Sequence, residues 1–250
     1  MPRFVQISDI HFGAANPKVL QSVTERIKAL APDALLVCGD LTQRGRKTEF
    51  HAAQNWLEQF AMPMIVVPGN HDTPWANAYA RTIQPFRRFK RNFEKVRDTI
   101  TVDGITVVGI NTARGWQLRR NWAEGSVDLK ELDLALNHSP PPSILVCHHP
   151  LLPFTDIPMP TRTARGLAAS RRVAASTVGL VLTGHVHVPT VARIEYEVGS
   201  YIAAGSGTVS TRLRNHPPHF NLIEMTGDGA PRITGQILHD TDWQTSELTC

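Results

Sequence analysis

Three cysteines in 250 residues, Cys38, Cys147 and Cys250, are too few for a disulfide framework or a cysteine-rich zinc site. Cys38 and Cys147 each end an apolar run and read as small buried hydrophobes rather than nucleophiles. No apolar stretch approaches the roughly 18 residues that a membrane span requires, so no transmembrane segment is expected. Met1-Pro2-Arg3 leads directly into a strand followed by Asp9, without the apolar core of a signal peptide, and the cytoplasm is the expected location. Charge of one sign is weak as well. A net charge of +4 and a pI near 9.2 mildly favour anionic partners but do not reach what nucleic-acid binding calls for. Internal repeats and low-complexity tracts are missing, and one domain is expected over 1–240 with a frayed tail over 241–250. What is present, 42% hydrophobic and 19% charged residues, is the composition of a globular protein with a sizeable core.

The opening residues Phe4-Val5-Gln6-Ile7 form a short β-branched run that gives way to Asp9 and His11. On an extended strand end, positions i and i+2 point the same way, so the two side chains are expected to converge. Apolar residues at 19, 20, 23, 27 and 30 have helical spacing, and Ala34 to Cys38 is a second strand. A helix over about 48–60 and a strand over 64–67 complete a βαβαβ unit, which predicts parallel pairing with right-handed crossovers. The stretch 74–97 reads as one helix with a stripe of Phe86, Phe89, Phe93 and Val96. Thr99–Val102 and Ile105–Ile110, joined by Asp103-Gly104, read as a hairpin. A helix is expected from about Ser126 to Leu136, a buried strand over 143–147, a long loop over 151–166 and a helix over about 167–176. The remainder alternates short strands (179–182, 190–198, 200–204, 218–225, 231–238) with turn signals and predicts a β-rich closing sheet.

Five of these strands end in polar residues: Asp9-x-His11, Gly39-Asp40, Gly69-Asn70-His71-Asp72, His148-His149-Pro150 and Gly184-His185-x-His187. In open α/β sheets, sites form at the carboxyl ends of strands, so the five segments are expected to line one crevice. Carboxylate, imidazole and amide donors without thiolate suit Mn, Fe, Zn or Co, and the set is large enough for two ions.

The pattern D-x-H, G-D, G-N-H-[D/E], H and G-H-x-H, complete and in this order from 9 to 187, resembles that of the calcineurin-like metallophosphoesterases. The resemblance implies an α/β fold, a four-layer α/β/β/α sandwich of two mixed sheets flanked by helices. It implies one metal held by Asp9, His11 and His187 and another by Asn70, His148 and His185, with Asp40 bridging them. His148 rather than His149 is taken as the ligand because the family's ligand sits two residues before the proline. His71 matches the family's non-ligand histidine, which stabilises charge or protonates the leaving alkoxide, and Asp72 the acidic residue that orients it. The implied chemistry is hydrolysis of a phosphoester by a metal-bridging hydroxide. The Gln6–His11 opening and Leu41–Arg46 are most similar to bacterial cyclic-nucleotide and glycerophosphodiester phosphodiesterases, so a small phosphodiester is the expected substrate.

His51, His138, His216, His219 and His239 fit no motif and read as surface or structural. Arg87, Arg88, Lys90, Arg91, Lys95 and Arg97 read first as the solvated face of a helix and second as a patch that steers anions to the site. Arg162, Arg165, Arg171, Arg172 and the Ser210-Thr211-Arg212-Leu213-Arg214 stretch invite the same second reading. Trp75, Trp116 and Trp122 read as core or staple residues ahead of base-stacking ones. Rival functions are a nucleotide-lipid pyrophosphatase, a DNA nuclease lacking a groove-reading motif, and a metal-binding scaffold without chemistry.

Overall fold

The βαβαβ winding begins at the first strand. The computed structural model, which describes residues 1–117, 121–137, 140–155, 157, 161–226 and 229–250, places β1 (Arg3–Ile7), α1 (Pro17–Leu30), β2 (Ala34–Val37), α2 (Lys47–Leu57) and β3 (Met64–Val66) in that order. β1–β2 and β2–β3 pair in parallel. Asn16 starts α1 by accepting a hydrogen bond from the Lys18 N–H, and Pro17 sits in the first turn, where a missing N–H costs nothing. The helix then turns Leu20, Val23 and Ile27 onto Val5, Ile7 and Leu35 of the sheet.

The stretch 74–97 is not one helix. α3 (Ala78–Ile83) and α4 (Arg87–Asn92) are separated at Gln84–Phe86, because Pro85 cannot donate to a continuing helical ladder. Asn77 caps α3 through its side chain, which accepts from Ala80 N–H at 2.8 Å. The phenylalanine stripe does face inward: Phe93 is buried, and Phe89 and Val96 pack on the same cluster. β4 (Thr99–Val102) and β5 (Ile105–Gly109) form the expected hairpin, with Asp103 and Gly104 at φ of 47° and 82° as a primed turn demands.

β6 (Gly125–Ser126) pairs with β8 (Thr163–Ala164), so Ser126 belongs to a strand. α5 (Leu129–Asn137) starts later than expected, at Asp128, whose carboxylate accepts from Lys130 N–H at 2.9 Å. β7 (Ser143–Val146), α6 (Gly166–Ala174) and β9 (Val178–His187) follow, and His138 lies outside the described residues. β10 (Thr190–Tyr196), β11 (Gly199–Gly207), β12 (His219–Met225) and β13 (Pro231–His239) supply the β-rich closing part. The frayed tail expected after Asp240 is instead β14 (Asp242–Leu248), antiparallel to β13 along its length. Trp243 anchors it, packing on Phe220 with ring centroids 5.3 Å apart and donating from Nε1 to Ser22 Oγ at 3.0 Å.

Two mixed six-stranded sheets result, ordered β14-β13-β12-β1-β2-β3 and β10-β11-β9-β7-β5-β4. Alternation along the buried strands divides the core into layers. Phe4, Leu36 and Ile65 face Val107, Ile144 and Leu182 between the sheets. Val5, Ile7 and Leu35 face α1 and α2 on one outer side, and Leu145 and Val181 face α5 and α6 on the other. The architecture is the α/β/β/α sandwich. Gln6 and Asn221 put polar groups between the sheets, paired at 2.8 Å through Gln6 Oε1, and the Gln6 amide donates across to Thr183 O at 2.8 Å and Ala204 O at 3.1 Å. These bonds tie one sheet to the other close to the strand ends. Among the described residues no helix is long and apolar enough to cross a membrane.

Candidate metal centre

All five polar segments meet where the strands stop. β1, β2 and β3 of one sheet lead into Asp9–His11, Gly39–Asp40 and the 3₁₀ turn Asn70–Asp72, while β7 leads into His148 and the end of β9 carries His185 and His187. Asp9 and His11 lie beyond the strand, so their convergence does not come from an extended pleat. Both are left-handed, with φ of 54° and 50°, as are Asp40, His185 and His187 at 51°, 72° and 60°. Five of the eleven described non-glycine residues with positive φ therefore lie here. Each costs on the order of 1 kcal/mol or more, a concentration typical of functional sites. Gly39, at φ 84°, makes the turn before Asp40. Gly69 and Gly184 are required for space, since a Cβ on either would collide with Asp40 Oδ1 or with Ser8 Oγ and Asp9 Oδ2.

The buried side chains fall into two groups. In the first, Asp9 Oδ1 lies 3.0 Å from His187 Nε2 and 3.7 Å from His11 Nε2, and the two imidazole nitrogens are 3.3 Å apart. In the second, Asn70 Oδ1 lies 3.2 Å from His148 Nε2 and 3.1 Å from His185 Nδ1. Asp40 sits between the groups, its Oδ2 3.9 Å from His11 Nε2 and 3.5 Å from His148 Nε2. The surroundings fix which atoms point inward. His148 Nδ1 faces Cys38 O at 2.7 Å and His187 Nδ1 faces Arg212 O at 2.8 Å, so each ring donates there and aims its Nε2 lone pair at the cluster. Asp9 Oδ2 accepts from Ser8 Oγ at 2.6 Å and His185 N–H at 2.9 Å, whereas its buried Oδ1 has no hydrogen-bond partner. A buried carboxylate oxygen left without a donor, faced by two imidazole nitrogens, fits a cation's place rather than a proton donor's.

The electrostatics agree with that fit. Burial works against charge on Asp9 and Asp40, yet His187 beside the first and His148 beside the second hold both carboxyls below the usual carboxylate range. Burial also disfavours a charged His148, but Asp40 outweighs it and lifts the imidazole to about 9, so without a cation Nε2 carries a proton toward Asp40, and a metal taking the Nε2 lone pair would release it. Burial keeps His11 down at about 4 and His185 at about 3, so both rings are neutral donors at ordinary pH.

His149 lies close enough to join His148 and His185 around a cation, but its ring nitrogens have other partners. Its Nδ1 is 3.0 Å from Thr112 Oγ1 and its Nε2 3.0 Å from Ala123 O, so both ring nitrogens have partners outside the cluster. It packs edge-on against His148 at 4.7 Å. His71 stands at the rim, edge-on to His11 at 4.8 Å, and its position also lets it join His11 and Asp40 around a cation. Its N–H donates to Asp40 Oδ1 at 2.8 Å.

Asp72 does not orient the His71 ring. The 3₁₀ turn sends its side chain backward, where it accepts from Gly69 N–H (2.9 Å), Leu41 N–H (3.2 Å), Thr42 N–H (2.8 Å) and Thr42 Oγ1 (2.9 Å). It clamps the loop after β2 to the loop after β3. Burial, followed by the charge of Asp40, pushes its carboxyl up to about 7. The His71 ring is positioned by Gln43 O, 2.8 Å from Nδ1.

Three of the five tryptophans are not core residues: Trp75, Trp116 and Trp122 are 66%, 47% and 42% exposed. Arg44 lies over the Trp75 ring and Arg81 over Trp122. Arg212 was one of several arginines in the sequence, with no pattern to single it out; in the structure its Nη1 reaches His71 Nε2 at 2.9 Å.

Known proteins share parts of this sequence and its fold. A probable cyclic nucleotide phosphodiesterase of Synechococcus is 24% identical over 193 residues, covering 73% of this chain and 72% of that protein. The glycerophosphodiester phosphodiesterase GpdQ of Enterobacter lignolyticus is 26% identical, covering 61% and 58%. A 3',5'-cyclic-nucleotide phosphodiesterase of Nostoc is 25% identical, covering 90% and 88%. In fold, a dimetal phosphatase of Danio rerio superposes with a TM-score of 0.65 at 13% identity over 99% of both chains. Purple acid phosphatase PPD1 of yellow lupin superposes with a TM-score of 0.71 at 14% identity, over 98% of this chain and 52% of that one. The family profile for calcineurin-like phosphoesterase matches residues 2–189, and with the strand-end motifs all inside that span, the chain belongs to the calcineurin-like phosphoesterase family.

Proposed function

We propose that the protein is a dinuclear metal-dependent phosphodiesterase acting on small phosphodiesters such as cyclic nucleotides or glycerophosphodiesters. The observation that carries this reading is the pair of donor groups, Asp9 with His11 and His187 and Asn70 with His148 and His185, on either side of Asp40, with Asp9 Oδ1 buried and without a hydrogen-bond donor. Asp9, His11 and His187 would hold one ion and Asn70, His148 and His185 the other, and Asp40, whose Oδ2 lies 3.9 Å from His11 Nε2 and 3.5 Å from His148 Nε2, would serve both. When bound, the two cations supply Lewis acidity toward a phosphoryl oxygen and activate a water at neutral pH. Nitrogen and oxygen donors without thiolate suit Mn, Fe, Zn or Co.

The chain's own residues do the rest. Asp40 places negative charge where two cations would otherwise repel. The carbonyls of Cys38 and Arg212 fix the tautomers of His148 and His187, leaving Nε2 free in each. His149 supports His148 from behind through Thr112 and Ala123. His71, outside both donor groups, stabilises charge on the reacting phosphate or carries the proton that the departing alkoxide needs. The names of the relatives favour diesters over monoesters.

The test is a substrate panel, from cyclic nucleotides and glycerophosphodiesters to aryl diesters and monoesters, run with each metal and after chelation. Diester hydrolysis that vanishes with chelator and returns with metal is expected. Turnover unaffected by chelation in protein stripped of metal would overturn the reading.

A further inference from the structure

We propose that Arg212 is the side chain that receives the substrate's non-bridging phosphoryl oxygens, and that His71 is where its guanidinium rests in the free protein. The proposal rests on the phosphoesterase reading above and adds to it a specific anion clamp.

Arg212 leaves the end of β11 on a loop that reaches over the metal centre. Its Nη1 lies 2.9 Å from His71 Nε2 and 3.5 Å from His11 Nε2. His71 Nδ1 donates to Gln43 O, so its Nε2 accepts from the guanidinium. No carboxylate among the described residues forms an ion pair with this arginine. Other arginines here end on oxygen: Arg88 on Gly45 O at 2.6 Å, Arg26 on Gln236 Oε1 at 2.7 Å and Arg172 on Asp133 at 2.7 Å. Arg212 ends instead on ring nitrogens, which its Nη1 alone reaches. A half-buried cation held against a neutral acceptor, beside a site built for phosphoesters, has its anionic partner still to come.

The backbone holds the loop without help from that side chain. Thr208 Oγ1 donates to Asp9 O at 2.6 Å, Thr211 Oγ1 to Ala14 O at 2.7 Å, and Arg212 N–H to Ser210 Oγ at 3.2 Å. The Arg212 carbonyl accepts from His187 Nδ1. Backbone and side chain thus have separate tasks, the first orienting a metal-facing histidine and the second presenting a planar fork to a phosphate. In-line attack on phosphorus gathers negative charge on the non-bridging oxygens, and a preorganised donor there acts most strongly as that charge grows. Arg214, two residues on, is exposed and has no such placement.

The test compares wild type, Arg212→Ala and Arg212→Lys as metal-loaded proteins. Three readings are taken: metal content, calorimetric affinity for inorganic phosphate, and kcat and KM on an aryl phosphodiester. Both variants should keep the wild-type metal content, because the carbonyl that serves His187 is unchanged. Arg212→Ala should lose about tenfold or more in phosphate affinity and roughly 10²–10³-fold in kcat/KM, the range for removal of one oxyanion donor. Arg212→Lys should recover only part, since an ammonium lacks the fork. Unchanged phosphate affinity and kcat/KM in Arg212→Ala would overturn the proposal, as would loss of metal in both variants. If wild type hydrolyses no phosphoester, the reading above fails, and phosphate calorimetry still decides the arginine: weaker binding by Arg212→Ala supports the clamp. Equal binding, or no binding by wild type, overturns it.

Discussion

The two donor groups of the metal centre share one plan and differ in charge. The first surrounds the carboxylate of Asp9 with His11 and His187, all at most 3% exposed. The second surrounds the neutral amide of Asn70 with His148 and His185, and borrows its negative charge from Asp40. A cation seated in the first group meets an anion of its own; one in the second depends on an anion it shares. Coulomb attraction at these separations is several times stronger in a buried site than in water, so one charge is enough to rank the two positions. On the proposed two-metal reading, the first group should be the tighter and the second the one whose occupancy depends on Asp40.

The sharpest way to break this comparison is to remove what both groups share. Asp40→Ala should drop turnover on an aryl diester by roughly 10³-fold or more and lower metal content, measured by plasma mass spectrometry. Intact metal with an intact rate would end the two-group description. Next is the rim histidine that belongs to neither group. In His71→Ala both metal equivalents should remain while kcat falls about 10²-fold, the scale of a lost acid–base or charge-stabilising group. Loss of an equivalent would move His71 into the ligand set.

Asn70→Ala and Asp9→Asn then set the groups against one another. The first should weaken one equivalent by at least about tenfold and spare the other, while the second should weaken the tight one. Calorimetric titration reads both, and identical titrations would erase the ranking.

The smallest effect concerns an imidazole buried outside both groups. His219 fills a slot between Gly207 and Gly235, its Nδ1 accepting from Gly207 N–H at 3.2 Å and its Nε2 without a partner. Burial, then His216, holds it down at about 4 against an ordinary 6.5. The unfolded chain takes up this proton more readily, so its contribution is complete above 6.5 and is lost as pH falls toward 4. At pH 5 the loss is roughly 2 kcal/mol, or about 4–8 °C in Tm for a chain of this size. His219→Asn should flatten the Tm profile between pH 7 and 5. An unflattened profile would show that the acid sensitivity comes from the metal centre instead.

Much of this was legible in the sequence, for a physical reason. A buried parallel strand must be apolar, and a crevice at its carboxyl end must be polar, so each ligand candidate stands out where the one gives way to the other. What escaped was whatever depended on direction rather than type. The family resemblance implied that Asp72 orients the His71 ring, but a 3₁₀ turn sends the two side chains apart. Arg212 and Arg214 lie two apart in a loop, and nothing in their spacing tells which one faces inward. β14 hid because an edge strand with both faces largely exposed needs no alternation, and Trp243 was its main apolar sign. The 74–97 stretch misled because the helical spacing of Phe86, Phe89 and Phe93, all beyond Pro85, was carried back across a proline where the helical ladder breaks.

One bond noted earlier governs how the molecule comes apart. The His185 N–H lies in one sheet and its acceptor, Asp9 Oδ2, follows a strand of the other. Together with the Gln6 amide, it stitches the two sheets along the crevice edge whether or not an ion is seated there. Local opening should therefore start at lightly buried edges such as β14, and amides lining the crevice should keep their hydrogen-exchange protection after those of β14 have lost theirs.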